Sequence, residues 1–190
     1  YSACPDLRTL KNFVDEAIKT GTVAFDTETD SLNTREANLV GFSLAYKKGS
    51  GIYVPLILNE DPLFAPPIIS KKDAFEQLKR IFFSETTVVM HNAKFDIEVL
   101  FCNGLNLLGK NALGIAASAP VEQEPDPAQS AGERPNFKLC DTMVAAWLLE
   151  PDRTGKSPFA LETLAEQKLG LKGTEFEEIV GKDQTFADVK

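Results

Sequence analysis

The stretch Val23-Ala24-Phe25-Asp26-Thr27-Glu28-Thr29-Asp30 constrains this chain more than any other. Three apolar residues run straight into two carboxylates spaced i, i+2, and in a strand that spacing puts both side chains on one face. Like charges held close raise each other's pKa, and burial raises both further. A hard divalent cation relieves that cost, because carboxylate oxygens are its preferred ligands. The stretch therefore reads as half of a metal site, with Asp26 and Glu28 as ligands. The plainer reading is an acid-rich strand-to-loop junction in which Asp30-Ser31 opens a turn.

The elements around it follow from periodicity and punctuation. Leu7, Leu10, Phe13, Val14, Ala17 and Ile18 recur at helical spacing, with Asp6 to cap the helix and Gly21 to end it. A strand over Thr22 to Asp26 follows at once. Asn38 to Tyr46 and Ile52 to Val54, joined by the turn Gly49-Ser50-Gly51, complete a three-stranded meander. After a Pro-rich link (Pro55, Pro62, Pro66, Pro67), Ser70 and Asp73 form the pattern of a capping box. Ala74, Leu78, Ile81 and Phe82 then make one helical face. Thr86 to Met90 is β-branched and short, as a central strand would be. It delivers His91-Asn92-Ala93-Lys94-Phe95-Asp96 into a helix lined by Ile97, Leu100 and Phe101.

Leu107 to Pro135 is rich in Ala, Pro, Glu and Gln and reads as an inserted, mobile surface segment. Order resumes at Lys138-Leu139-Cys140. Asp141 is expected to cap a helix through Leu149 with Met143, Val144, Trp147 and Leu148 turned inward, and Pro151 stops it. Ser157-Pro158 is expected to start a further helix that Gly170 ends, and Thr174 with Glu177 suggests one more helical turn.

The second half of the site lies on the helix after the fourth strand. Asn92 and Asp96 stand four apart on one face, just past the helix start, at the end of the sheet where open α/β folds keep their ligands. Asp96 can thus face Asp26 and Glu28. Two Mg²⁺ or Mn²⁺ ions would resolve the repulsion among three acids and could clamp both oxygens of a phosphodiester displacement. Taken singly, Asp96 could equally be a first-turn acid on its helix dipole and Asn92 an ordinary N-cap.

Composition narrows the class. At 190 residues the chain suits one large domain with a real core. No apolar run approaches a membrane span, and the start has no basic or apolar region like a secretory signal. The first residue is not Met, which points to a piece cut from a longer chain. The three cysteines, Cys4, Cys102 and Cys140, show no metal-ligand spacing, and a reducing cytoplasm is the expected setting. A formal net charge of -8 argues against a broad grip on duplex nucleic acid, but not against a small site where metal ions supply the positive charge.

With these residues in place, the chain resembles the 3′–5′ proofreading exonuclease domain of a bacterial family A DNA polymerase, the DNA polymerase I type. Phe25 to Leu32 resembles the first exonuclease motif and Asn92 to Asp96 the second. Asn38 to Gly41, Asp141 to Met143, and Phe176 to Lys182 are similar to stretches between and after them. The resemblance implies a ribonuclease-H-like α/β fold with a mixed five-stranded sheet flanked by helices. It implies a two-metal mechanism in which Asp26 bridges both ions (Mg²⁺ or Mn²⁺, with Zn²⁺ possible at one site). Glu28 binds the ion that activates water, and Asp96 holds the second ion. The substrate implied is the 3′ end of single-stranded DNA, and the partner a polymerase domain of the same full-length chain, in a monomer. Asn92 would fix the strand near the cleaved phosphate, Thr27 and Lys94 would join the strand-binding set, and Leu32 and Phe176 would wedge the terminal bases apart.

One departure stands out. The family's third motif, a Tyr followed four residues later by an Asp, has no match among these residues: Tyr46 meets Ser50 and Tyr53 meets Ile57. Residues 1–190 are therefore expected to be a single exonuclease-like domain lacking its C-terminal third-motif helix, one that binds metal weakly and cuts slowly or not at all. Two other functions fit the pattern: a non-catalytic module supporting the polymerase, and a stand-alone RNA-trimming exonuclease.

Overall fold

The computed structural model describes residues 2–58, 68–107 and 135–173. These form six strands and five helices: β1 (Ser2–Ala3), α1 (Leu7–Thr20), β2 (Thr22–Thr29), β3 (Leu39–Lys47), β4 (Ser50–Pro55), α2 (Lys71–Phe82), β5 (Thr87–Met90), α3 (Ala93–Cys102), β6 (Lys138–Asp141), α4 (Thr142–Leu149) and α5 (Leu161–Leu169). The strands make one mixed sheet in the order β1-β4-β3-β2-β5-β6. β2, β3 and β4 pair antiparallel, while β5 and β6 run parallel to β2.

All five expected strands are present. The sixth is β1, which adds to the open edge of β4 through Ser2↔Ile52 and Ala3↔Tyr53. An edge strand offers unpaired backbone groups, and the chain start takes them until Pro5, which has no N–H to continue the ladder.

α1 begins where the Asp6 carboxylate accepts the Thr9 N–H at 2.7 Å and ends at Gly21, whose φ of 75° places it in the left-handed region. α2 begins at Ser70, whose Oγ accepts the Asp73 N–H at 3.1 Å and donates to Asp73 Oδ2 at 2.6 Å. The two helices cover one face of the sheet. Along β2 the side chains alternate: Val23, Phe25 and Thr27 are buried, while Ala24 and Asp26 are exposed. Phe25 packs against Phe82 of α2 at 5.5 Å and Phe42 of β3 at 5.9 Å between ring centroids. Leu10, Val14, Leu44, Leu78 and Ile81 complete that layer, with Val99 and Leu100 of α3 joining its end. Asp26 and Glu28 therefore project from the sheet face that α1 and α2 leave uncovered.

Three expectations need correction. β2 does not stop at Asp26 but runs to Thr29, because β3 keeps pairing with it through Thr29↔Leu39. The carboxylates thus sit within the strand, and a bulge between Glu28 and Thr29 re-aims the chain there. α4 does not turn its apolar residues inward: no residue of α4 is buried, with Trp147 52% and Leu149 80% exposed. α5 begins at Leu161 rather than at Ser157-Pro158, because Ser157 adopts a left-handed φ of 51° and the Ala160 N–H closes a turn onto the Ser157 carbonyl at 3.1 Å. Most of the segment from Leu107 to Pro135, the Pro62 to Pro67 link and the Thr174 to Lys182 stretch lie outside the described residues.

Candidate active site

The site forms where β2 outruns its neighbour. β5 pairs with β2 only at Thr22, Val23 and Ala24, and then the chain turns into α3. The Thr27 N–H lies beyond the last of these paired residues. Asp96 takes it: its Oδ1 accepts the Thr27 N–H at 3.0 Å and the Thr27 hydroxyl at 2.7 Å. Asp96 is 2% exposed, and no ion pair among the described residues includes it, Asp26 or Glu28.

The three acids feel one another. Burial, with the charges of Asp26 and Asp96 added, raises the Glu28 carboxyl to about 8. Burial also raises Asp96, to about 7, although the hydrogen bonds from Thr27 pull the other way. Asp26 is open to solvent, yet the protein around it is dense enough that burial is the main cause of its raised carboxyl, with Glu162 adding to the rise and His91 opposing it. Accessible but poorly solvated acids are what a cation-binding face requires.

Among the described residues, no three acid, His or Cys side chains close on one point tightly enough to hold an ion in this conformation. The donor set nevertheless suits a hard divalent cation, since it is all carboxylate oxygen with raised pKa and no Lys or Arg partner. A further oxygen donor, Asn92 Oδ1, is buried with no hydrogen-bond partner.

Asn92 differs from an ordinary cap. It stands in the left-handed region at φ 66°, ψ 48°, and its side chain makes no cap hydrogen bond. Its own N–H and that of Ala93 end on the Asp141 carboxylate at 3.2 and 2.8 Å. Lys94 is exposed in the first turn of α3. Leu32, in the loop after β2, is 92% exposed, which removes core packing as its role. Thr27 is buried with its hydroxyl given to Asp96. Phe176 lies outside the described residues.

Two contributors have little signal in the sequence. Glu162, in the first turn of α5, is close enough to raise Asp26. Gly41, directly opposite Glu28, lies under the Tyr53 ring: a Cβ there would meet Tyr53 Oη at 2.3 Å. A depression lined by Glu150, Arg153, Lys156 and Gln167 contains none of the three acids.

Comparison with known proteins identifies the family and the fold. The family described as 3′–5′ exonuclease, of the DNA polymerase A type, matches residues 1–190. DNA polymerase I of Treponema pallidum is 31% identical over 220 residues, covering 100% of this chain and 19% of the relative. DNA polymerase I of Borreliella burgdorferi is 28% identical over 180 residues, covering 95% of the chain and 16% of the relative. The chain therefore spans less than a fifth of the length of these two curated relatives. Among solved structures, Escherichia coli RNase D superposes with a TM-score of 0.55 at 18% identity, covering 100% of this chain and 41% of that one. The catalytic core of RRP6 from Trypanosoma brucei superposes at 0.59 with 12% identity, covering 96% and 37%. The fold is that of the ribonuclease-H-like 3′–5′ exonucleases.

Proposed function

We infer from its site that this chain, which belongs to the 3′–5′ exonuclease family of DNA polymerase I, hydrolyses nucleotides from the 3′ end of single-stranded DNA. The observation carrying the reading is that Asp26, Glu28 and Asp96, from β2 and α3, all have raised carboxyl pKa values and form no ion pair among the described residues. These three would hold two Mg²⁺ or Mn²⁺ ions, with Zn²⁺ able to take one place. Bound there, the ions would supply an activated water and positive charge for the phosphodiester oxygens.

The chain's own residues do the rest. Thr27 holds the Asp96 carboxylate in place through two bonds and so acts through it. The exposed Leu32 offers an apolar surface to a terminal base, while Lys94 offers charge to a phosphate. Asn92 brings an unused amide oxygen to the same lip, and Phe176 is assigned a second apolar wedge by its place in the sequence. A net charge of -8 keeps contact local to this site. The relatives are DNA polymerases I, which supports a polymerase domain in the same chain; a cytoplasmic monomer is our own reading.

The test is degradation of 5′-labelled single-stranded DNA and RNA oligonucleotides by the full-length chain with Mn²⁺. DNA should be shortened from its 3′ end, and Asp26→Ala should reduce this to background. Unchanged degradation by Asp26→Ala would remove the metal assignment, and preference for RNA would favour the RNA-trimming function. Retention of all three acids speaks against a purely supporting module.

A further inference from the structure

We propose that Asp141 is a positioning residue of the active site: together with Thr142 it grips residues 90–93 and so sets where Asp96 stands against Thr27 and Asp26. The proposal rests on the exonuclease reading above.

The grip follows from the topology. β5 and β6 run parallel with Met90 opposite Asp141, so both strands end side by side. Each then turns into a helix, which puts two helix starts, with their unsatisfied N–H groups, next to each other. One carboxylate serves both. Asp141 Oδ1 accepts the N–H of Met143 at 2.9 Å and of Val144 at 3.3 Å, the ordinary cap of α4. The same Oδ1 accepts the Asn92 N–H at 3.2 Å, and Oδ2 accepts that of Ala93 at 2.8 Å. A cap for α4 alone would need only the first two.

Thr142 extends the hold backwards along the chain. Its Oγ1 reaches the Met90 carbonyl at 3.1 Å and His91 Nδ1 at 2.9 Å. His91 Nε2 lies 2.9 Å from the Phe159 carbonyl, which can only accept, so Nε2 carries a proton. Four successive residues, Met90 to Ala93, are thus tied to one dipeptide, and His91 ties the loop before α5 to the same point.

The held segment is the one that needs holding. Asn92 is a non-glycine residue in the left-handed region, and its side chain does not cap α3. Asp96 sits in the first turn of that helix. A small rotation of the helix start would draw Asp96 away from Thr27 and alter the spacing of the three acids. The Asp141 carboxylate is the side-chain acceptor that fixes that start.

The test uses the full-length chain and Mn²⁺ as the probe. Free Mn²⁺ is followed by electron paramagnetic resonance during titration, and exonuclease rate is measured against Mn²⁺ concentration in parallel. Asp141→Asn replaces an acceptor oxygen with an amide N–H₂ facing backbone N–H groups. It should raise the half-saturating Mn²⁺ concentration about 10- to 100-fold in both measurements, the range for residues that orient metal ligands. Saturating Mn²⁺ should restore most of the rate. Thr142→Val should shift both curves in the same direction by less. Asp6→Ala, which removes the α1 cap far from the site, should lower Tm and leave Mn²⁺ dependence unchanged.

If Asp141→Asn lowers Tm but keeps the parent's Mn²⁺ half-saturation, Asp141 is a helix cap and the proposal is overturned. Should Asp141→Asn fail to fold, Thr142→Val decides by the same criterion. A parent chain that binds no Mn²⁺ would overturn the metal reading itself and this inference with it, an outcome distinct from a parent that binds and a variant that binds equally well.

Discussion

At the scale of single residues, the bond from Thr27 to Asp96 decides the site's chemistry. Thr27→Val keeps the backbone N–H bond and loses the hydroxyl bond. Removing it should cost about 1 kcal/mol in thermal unfolding. Because that bond opposes the rise of the Asp96 carboxyl, its loss should push Asp96 higher still and move Mn²⁺ binding to higher pH. The raised carboxyls also fix a sign. Folded, Glu28 titrates at about 8 and Asp96 at about 7, both above their ordinary values. The folded, metal-free chain therefore binds more protons than the unfolded chain between about pH 4 and those values, and these groups make stability fall as pH rises through that window. Metal binding at neutral pH must then expel protons. Calorimetric titration with Mn²⁺ in buffers of different ionisation heat should give buffer-dependent heats, and Glu28→Gln should lessen the dependence. Buffer-independent heats would mean that the carboxyls are already ionised.

At the scale of elements, Gly41 on β3 is the position to test. The Tyr53 ring occupies the space a side chain there would need, and Gly41 is paired with Glu28 next to the bulge. Gly41→Ala should destabilise by about 1–3 kcal/mol, as overpacking does, and urea unfolding would measure it. Elements of this kind differed in how far the sequence disclosed them. α1 and α2 were readable because their apolar stripe and their capping residues agree. The extension of β2 to Thr29 was not, because the Glu28 carboxylate next to Asp30-Ser31 reads as the start of a turn, and pairing with β3 holds it in the strand. α4 is apolar almost all round, so its sequence contained no information about which side faces the core. The start of α5 was misplaced because a left-handed serine and a histidine from another element set it.

At the scale of the whole molecule, the acid cluster trades stability for function. Asp26→Asn removes a charge that helps raise both Glu28 and Asp96. It should melt at a higher temperature than the parent without metal, and gain less on adding Mn²⁺, as differential scanning calorimetry would record. Asp26, Glu28 and Asp96 could be singled out from two short segments and the elements that bear them. The contacts around them could not, since Thr27 bonds Asp96, Glu162 raises Asp26 and Asp141 accepts the Ala93 N–H only across the tertiary structure. One consequence reaches back to synthesis. Thr27 and Asp96 are 69 positions apart, so a growing chain that has made only its first three long strands carries a pair of inert carboxylates. On the proposed reading, the cutting centre cannot exist until the helix bearing Asp96 has been made and docked, which keeps a half-built nuclease harmless.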